Sequence, residues 1–260
     1  LQRLYLSTGA IDVLHNWPEA NVQSVDIVEI DGRKLFLVSI YNLIPSEERG
    51  QVSLIAEDNN NEIPLFPGSL AVSIGPTSIA FFNADGRLSV VDLKDEPAVP
   101  RVIDETAAPR PSPVVPLSDT EFLYESRRSG KPGIWRHDLR DKQSIEVTPL
   151  NVCSLDRAVW RASTQQLLCH KLKPDGSFSG NYILAGLDGS QSDARLNGSG
   201  SLWPIAYVDG QDAVVVQSVR LTTDRTEDYP VSLYSFSTGE LTPVAGDIIV
   251  GRHAIYQADP

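Results

Sequence analysis

The sequence predicts an all-β fold assembled from a repeated four-stranded unit. Three observations carry that prediction: helical periodicity is nearly absent, short apolar or alternating runs are joined by tight polar turns, and a pair of strands recurs along the chain. No window of a dozen residues free of Gly and Pro places apolar side chains at i, i+3, i+4 and i+7.

The turns set the first level of structure. VDIVEI leads into KLFLVSIYN across Asp31-Gly32, IAFFN into RLSVVDL across Asp85-Gly86, and PIAYV into AVVVQSV across Asp209-Gly210. Tight hairpin turns need positive φ, which Gly adopts at little steric cost, so Asp-Gly between β-branched or aromatic runs predicts a hairpin.

The repeat sets the second level. RLYLSTG, QVSLIAEDNN, RLSVVDLKDE, GIWRHDLRDK, NYILAGLDGS and VSLYSFSTGE are each a strand ending in a polar turn. Each is followed by a further short strand: AIDVLHN, EIPLFP, VPRVIDE, SIEVTPL, SDARL and ELTPVAG. The copies recur on average about every 46 residues, the length of a four-stranded propeller blade rather than of one hairpin. Two more strands lie upstream of each copy, as DRAVWRA and QLLCHKL do before NYILAGL. The expectation is a single domain over residues 1–260, a six-bladed β-propeller. Five blades are continuous; the sixth pairs the N-terminal RLYLSTGAIDVLHN, as outer strands, with the C-terminal IIVGRHAIY as inner strand, which removes exposed sheet edges.

The segment FLYESRRSGKPGIWRHDL is similar to the repeat of TolB-like (WD40-like repeat) propellers: an apolar strand, Ser-x-Arg-x-Gly, then Ile-Tyr/Trp-x-x-Asp-Leu. Ser126, Arg128, Gly130, Ile134, Trp135, Asp138 and Leu139 carry the match. VWRASTQQLLCH keeps Trp160 and Leu167 in register but has Arg-Ala-Ser-Thr where the family has Ser-Pro-Asp-Gly. The resemblance implies a propeller that docks a protein or peptide at its rim or channel mouth, commonly in the periplasm, and in some cases as the outer sensor domain of a membrane-anchored winged-helix regulator.

Composition narrows the function classes. A net charge of −12 argues against nucleic-acid binding, which needs clustered Lys and Arg to displace counterions. No apolar run is long enough for a membrane helix, and LQRLYLSTGA lacks the plan of a signal peptide. The start at Leu1 and the lack of any Met lead to the expectation of a mature form or an excised domain. Cys153 and Cys169 have no zinc-ligand spacing and read first as two small buried side chains, with a disulfide open to them in an oxidising compartment.

Motif chemistry is sparse. Gly-x-Ser-x-Gly does not occur, and 197–201 (NGSGS) fails its spacing. His15, His137, His170 and His253 show no HxH or HxxxH spacing; His137 reads as a blade-surface residue, and His170 and His253 as the two of interest near inner strands. The acidic loops 57–62 and 92–96 lack the spacing that wraps calcium and read as solvated turns. No catalytic set, cofactor or metal is therefore expected. The loops 41–50 and 218–230, together with ESRRSGKPG and KLKPDGSFSG, would bring Arg49, Arg127, Arg128, Lys131, Lys173 and Arg225 to one rim, with Trp160 and Trp203 on or beside inner strands as core or channel residues. The resulting expectation is a non-catalytic binding propeller; the alternative is a channel-site enzyme such as a sugar-acid lyase or lactonase, which would need ligands converging from several blades.

Overall fold

The computed structural model describes residues 2–4, 11–14, 20–42, 50–56, 61–107, 114–194, 196, 202–208, 211–218, 220–221, 227–228 and 231–245. His15, Arg49, Arg225, His253, the Asp209-Gly210 turn and the IIVGRHAIY strand lie outside them. The described elements are strands, with one short 3-10 turn at Thr148–Val152. In chain order these are β1 (Gln2–Leu4), β2 (Ile11–Val13), β3 (Ala20–Ile30), β4 (Arg33–Asn42), β5 (Gly50–Ala56), β6 (Glu62–Ile74), β7 (Ser78–Asn83), β8 (Leu88–Asp92), β9 (Arg101–Asp104), β10 (Val115–Pro116), β11 (Glu121–Ser126), β12 (Gly133–Asp138) and β13 (Gln143–Glu146). There follow β14 (Cys153–Arg161), β15 (Gln166–Leu172), β16 (Phe178–Gly186), β17 (Gln191–Asp193), β18 (Leu202–Val208), β19 (Ala213–Ser218), β20 (Arg220–Leu221), β21 (Glu227–Asp228), β22 (Val231–Ser235) and β23 (Leu241–Ala245).

Two compact units divide the chain. The first contains Leu14–Asn151, the second Val152–Pro260 together with Gln2–Val13. In the first, β3 to β9 form one antiparallel sheet of seven strands and β10 to β13 one of four. The seven-stranded sheet is two four-strand sets that share β6: its first half pairs with β5, its second with β7. Gly68 sits at the changeover, where a Cβ would lie 2.5 Å from the Phe82 carbonyl oxygen and 2.8 Å from the Phe81 ring; a Cβ at Gly50 would strike the Gly68 carbonyl. In the second unit, β14 to β17 form one four-stranded sheet and β18, β19, β22 and β23 another. The 218–230 connection carries the small β20–β21 ribbon.

The repeated strand pairs of the sequence are β5/β6, β8/β9, β12/β13, β16/β17 and β22/β23, as expected. The turns follow their chemistry: Asp31 and Gly32 both have positive φ (52° and 72°), and at 83–87 Gly86 (φ 73°) closes a turn in which the Asn83 side chain accepts the Asp85 and Arg87 N–H groups. Middle strands are buried on both faces, as in β7 and β19, while the last strands β13 and β17 are largely exposed.

That gradient follows from sheets packed face to face. Within the first unit, Val28, Leu37, Val52 and Leu54 meet Ala71, Ile79, Phe81 and Val91, and the other face of that second set meets β11 through Ile74, Phe82, Phe122 and Tyr124. Within the second unit, Leu168, Tyr182 and Leu184 meet Leu202, Val214, Val216 and Tyr234. A fully buried side chain of this size contributes roughly 1.5–3 kcal/mol, so these layers rather than strand propensity hold the sheets. Trp135 and Tyr234 pack between sheets, as their third-strand positions predict.

The first strand of four of the five four-strand sets carries a bulge, the β10–β13 set being the exception: Val22/Ser24 in β3, Ser69/Val72 in β6, Ser154/Val159 in β14 and Pro204/Ala206 in β18. Two of them put a non-glycine residue in the left-handed region, Leu70 at φ 53° and Arg157 at φ 59°. Asp26 on β3 accepts the Ile27 and Ser73 N–H groups, and burial outweighs those bonds to push its carboxyl up to about 6.

Two readings are corrected. Cys153 and Cys169 are buried, but they are joined in a disulfide that ties β14 to β15 (Cα–Cα 5.6 Å). His137 is not a surface residue: it is 1% exposed on β12, beside Phe122, with Nδ1 bonded to the Ser144 hydroxyl at 2.9 Å. His137 shares a face of β12 with Trp135, two residues away, and that face is covered by the packed layer that also holds Phe122 and Tyr124.

Candidate functional site

The β11–β12 connection, residues 127–132, contains three of the expected rim cations. Its root is built from side chains of a preceding strand. Asp104, at the end of β9, accepts the Thr106 N–H (2.7 Å) and hydroxyl (2.8 Å), and Thr106 in turn pairs with the Ser126 hydroxyl at 2.9 Å. Ser126 also accepts the Arg128 N–H, and Gly130 closes the turn at φ 83°. Arg128 is bound inward: its guanidinium donates to the Ile103 carbonyl (2.6 Å), ion-pairs with Asp104 (3.3 Å) and lies over the Trp135 ring at 5.2 Å. Burial raises the Asp104 carboxyl, but the Thr106 and Ser126 hydrogen bonds and the Arg128 charge outweigh it and hold the group below its ordinary value.

Arg127 and Lys131 are exposed on this loop, and neither side chain makes an ion pair among the described residues. The loop therefore offers two cations on a fixed base. Lys173 is exposed at the equivalent place in the second unit, the β15–β16 turn, where its backbone N–H bonds to the Ser177 carbonyl.

The second unit contains a cluster that sequence reasoning missed. The β14 bulge turns Asp156 and Arg157 out of the strand's regular alternation. The Arg157 guanidinium lies 3.4 Å from the centre of the Trp203 ring. His170 on β15 stands opposite Tyr182 on β16, ring centres 3.9 Å apart, with the exposed Phe178 ring at 5.2 Å. Burial pushes the His170 imidazole below its ordinary value, with the Asp156 charge opposing and the Arg157 charge adding to the effect; burial pushes the Tyr182 phenol up. Asp156 Oδ1, His170 Nδ1 and the Tyr182 hydroxyl are buried and have no hydrogen-bond partner among the described residues. The signal available in CSLDRAVW was the charged pair Asp156-Arg157 interrupting an otherwise apolar strand.

Trp160 is half-buried on β14 opposite Leu167, and Trp203 half-buried on β18, so neither is a fully enclosed core residue. Among the described residues, no group of three or more His, Cys, Asp or Glu side chains is placed to hold a metal ion.

With this geometry in view, the comparisons bear on the fold. No protein-family model matches the chain, and no curated protein matches it. Solved structures do. A protein assigned as TolB from Agrobacterium tumefaciens is 13% identical with a TM-score of 0.65, over 98% of this chain and 94% of that one. A chain of the nidogen/laminin complex is 10% identical with a TM-score of 0.60, over 92% and 87%. A puromycin-hydrolyzing peptidase of Mycobacterium tuberculosis is 14% identical with a TM-score of 0.55, over 95% of this chain but 42% of that one. The chain thus has the fold of TolB-like and other β-propellers, a fold these structures use both in binding assemblies and in an enzyme.

Proposed function

We propose that this chain is a six-bladed, non-catalytic binding propeller that docks an acidic protein or peptide segment. The observation that carries the reading is the β11–β12 loop: Arg127 and Lys131 project from a root held by Asp104, Thr106, Ser126 and Arg128. A preorganised pair of exposed cations steers an anionic partner with little ordering cost on binding. Lys173 on the equivalent turn of the second unit, and Arg49 and Arg225 in the sequence, are further cations that this reading assigns to binding. Closure of the sixth blade by the C-terminal strand on β1 and β2 is part of the same reading, supported by the grouping of Gln2–Val13 with the second unit.

The Cys153–Cys169 disulfide supports an extracytoplasmic compartment, where such bonds persist. No helix among the described residues is long and apolar enough to cross a membrane. We place the domain in the periplasm, as a free protein or as the outer sensor domain of a membrane-anchored winged-helix regulator. The coding sequence upstream of Leu1 separates the two: a signal peptide alone supports the first, a membrane helix preceded by a basic winged-helix domain the second.

The docking reading is tested with a displayed random-peptide library. Acidic peptides should be enriched, and Arg127→Ala with Lys131→Ala should weaken the selected peptide roughly tenfold, an effect that falls with added salt. Enrichment indifferent to charge, or affinity unchanged in the double variant, rejects it. Blade closure is tested separately by deleting residues 246–260, which should lower the melting temperature of the whole protein.

A further inference from the structure

The cluster on β14, β15 and β16 is carried by a different sheet from the β11–β12 loop. Buried polar groups in native proteins are hydrogen-bonded, and each one left unpaired costs about 1–3 kcal/mol. Three such atoms belong to neighbouring side chains: the His170 and Tyr182 rings are 3.9 Å apart, the Asp156 charge acts on both, and Tyr182 as a residue is only 8% exposed. Beside them Arg157 is held at φ 59° in the bulge, a conformation that a non-glycine residue adopts only where its surroundings compensate. Bulges re-aim side chains and are over-represented beside functional sites.

The ligand's chemistry follows from the groups. The carboxylate of Asp156 only accepts, the Tyr182 phenol stays protonated and can donate or accept, and neutral His170 offers a ring nitrogen whose role follows its tautomer. Asp156 and Arg157 bring opposite charges of equal size, which favours a neutral ligand over an anion or a cation. A vicinal diol supplies donors and acceptors side by side. On the solvent side, Phe178 is 52% exposed next to His170 and provides an apolar face for the C–H surface of a sugar ring. We propose that this cluster binds a neutral carbohydrate through adjacent hydroxyl groups, with Phe178 stacking on the ring.

The experiment uses the intact, disulfide-bonded chain with glucose, galactose, mannose and N-acetylglucosamine as probes, read by saturation-transfer NMR and by titration. At least one sugar should receive saturation from the aromatic protons. Its affinity should fall roughly tenfold in Tyr182→Phe, which removes a hydroxyl without a partner and so leaves folding intact, and should also fall in the exposed-site variant Phe178→Ala. Absence of binding by all four sugars, with Tyr182→Phe melting at or above the wild-type temperature, assigns the cluster to ordered water and overturns the proposal. Binding that is equal in wild type and both variants overturns it as well.

Discussion

The β11–β12 and β15–β16 hairpins occupy the same place in their four-stranded sheets, yet their roots are held differently. In the first, an acidic side chain from the preceding strand gathers Thr106 and Arg128, with Ser126 joining through Thr106. In the second, β15 is fastened covalently to β14 by Cys153–Cys169, and neighbouring atoms of Asp156 (Oδ1), His170 (Nδ1) and Tyr182 (the hydroxyl) are left without partners among the described residues. The difference teaches that one supersecondary unit can be fastened by a hydrogen-bonded carboxylate or by a covalent link, while both sets keep buried polar atoms without a partner among the described residues, Trp135 Nε1 and His137 Nε2 in the first.

The largest effect that would break this comparison is at Asp104. Asp104→Ala removes the buried carboxylate that accepts both the Thr106 N–H and the Thr106 hydroxyl, two charge-assisted hydrogen bonds, and frees a solvent-exposed Arg128 at little cost, so a loss of about 3–5 kcal/mol is expected in urea unfolding. Asp156→Ala, its counterpart, should leave stability within about 1 kcal/mol of wild type, because no partner of its side-chain Oδ1 is lost. Equal losses in the two variants would erase the contrast. Next in size is the disulfide: Cys153→Ala with Cys169→Ala should cost about 2–4 kcal/mol, with amide exchange rising first in residues 153–186 of the second unit.

A smaller effect concerns His137, on β12 of the first of these two sheets. Burial, with the charges of Arg101 and Arg128, pushes its imidazole down to about 4 from 6.5. The folded protein therefore resists a proton that the unfolded chain accepts, so the stability His137 contributes is complete above pH 6.5 and is lost as pH falls towards 4. Asp26 acts in the opposite sense: with its carboxyl raised to about 6, its contribution is complete below 3.8 and is lost as pH rises through 6. His137→Asn, which keeps a polar atom near Ser144, should lose less stability than wild type on acidification over that interval. Identical pH profiles would show that His137 is not the group responsible. The smallest effect is expected at Arg127→Ala and Lys131→Ala, within about 0.5 kcal/mol by thermal unfolding, since both side chains are exposed.

Local signals made much of the fold legible. The Asp31-Gly32 and Asp85-Gly86 turns and the third-to-fourth strand pairs among the described residues needed only neighbouring residues, and they stand where the sequence placed them. What was not legible came from other layers. Arg128 looked like a free rim charge because the Ile103 carbonyl and Asp104 that hold it lie on β9, a separate strand of another sheet. His137 was misplaced because period-two alternation shows that it shares a face with Trp135 but not that this face is covered. The polar cluster depends on a bulge, and the shift of register that creates it at Ser154/Val159 leaves no mark beyond the Asp156-Arg157 pair. The matching bulge in β6 places Leu70, which packs into the core, so the same backbone device carries a greasy side chain in one unit and a charge in the other.

β6 has a wider consequence. Because one uninterrupted strand supplies the last member of one four-strand set and the first of the next, neither set can shed that strand without fraying its neighbour. The segment from β3 to β9 then behaves as a single cooperative block: its amides should become exchangeable together, and a nick near Gly68 should release both sets at once rather than one.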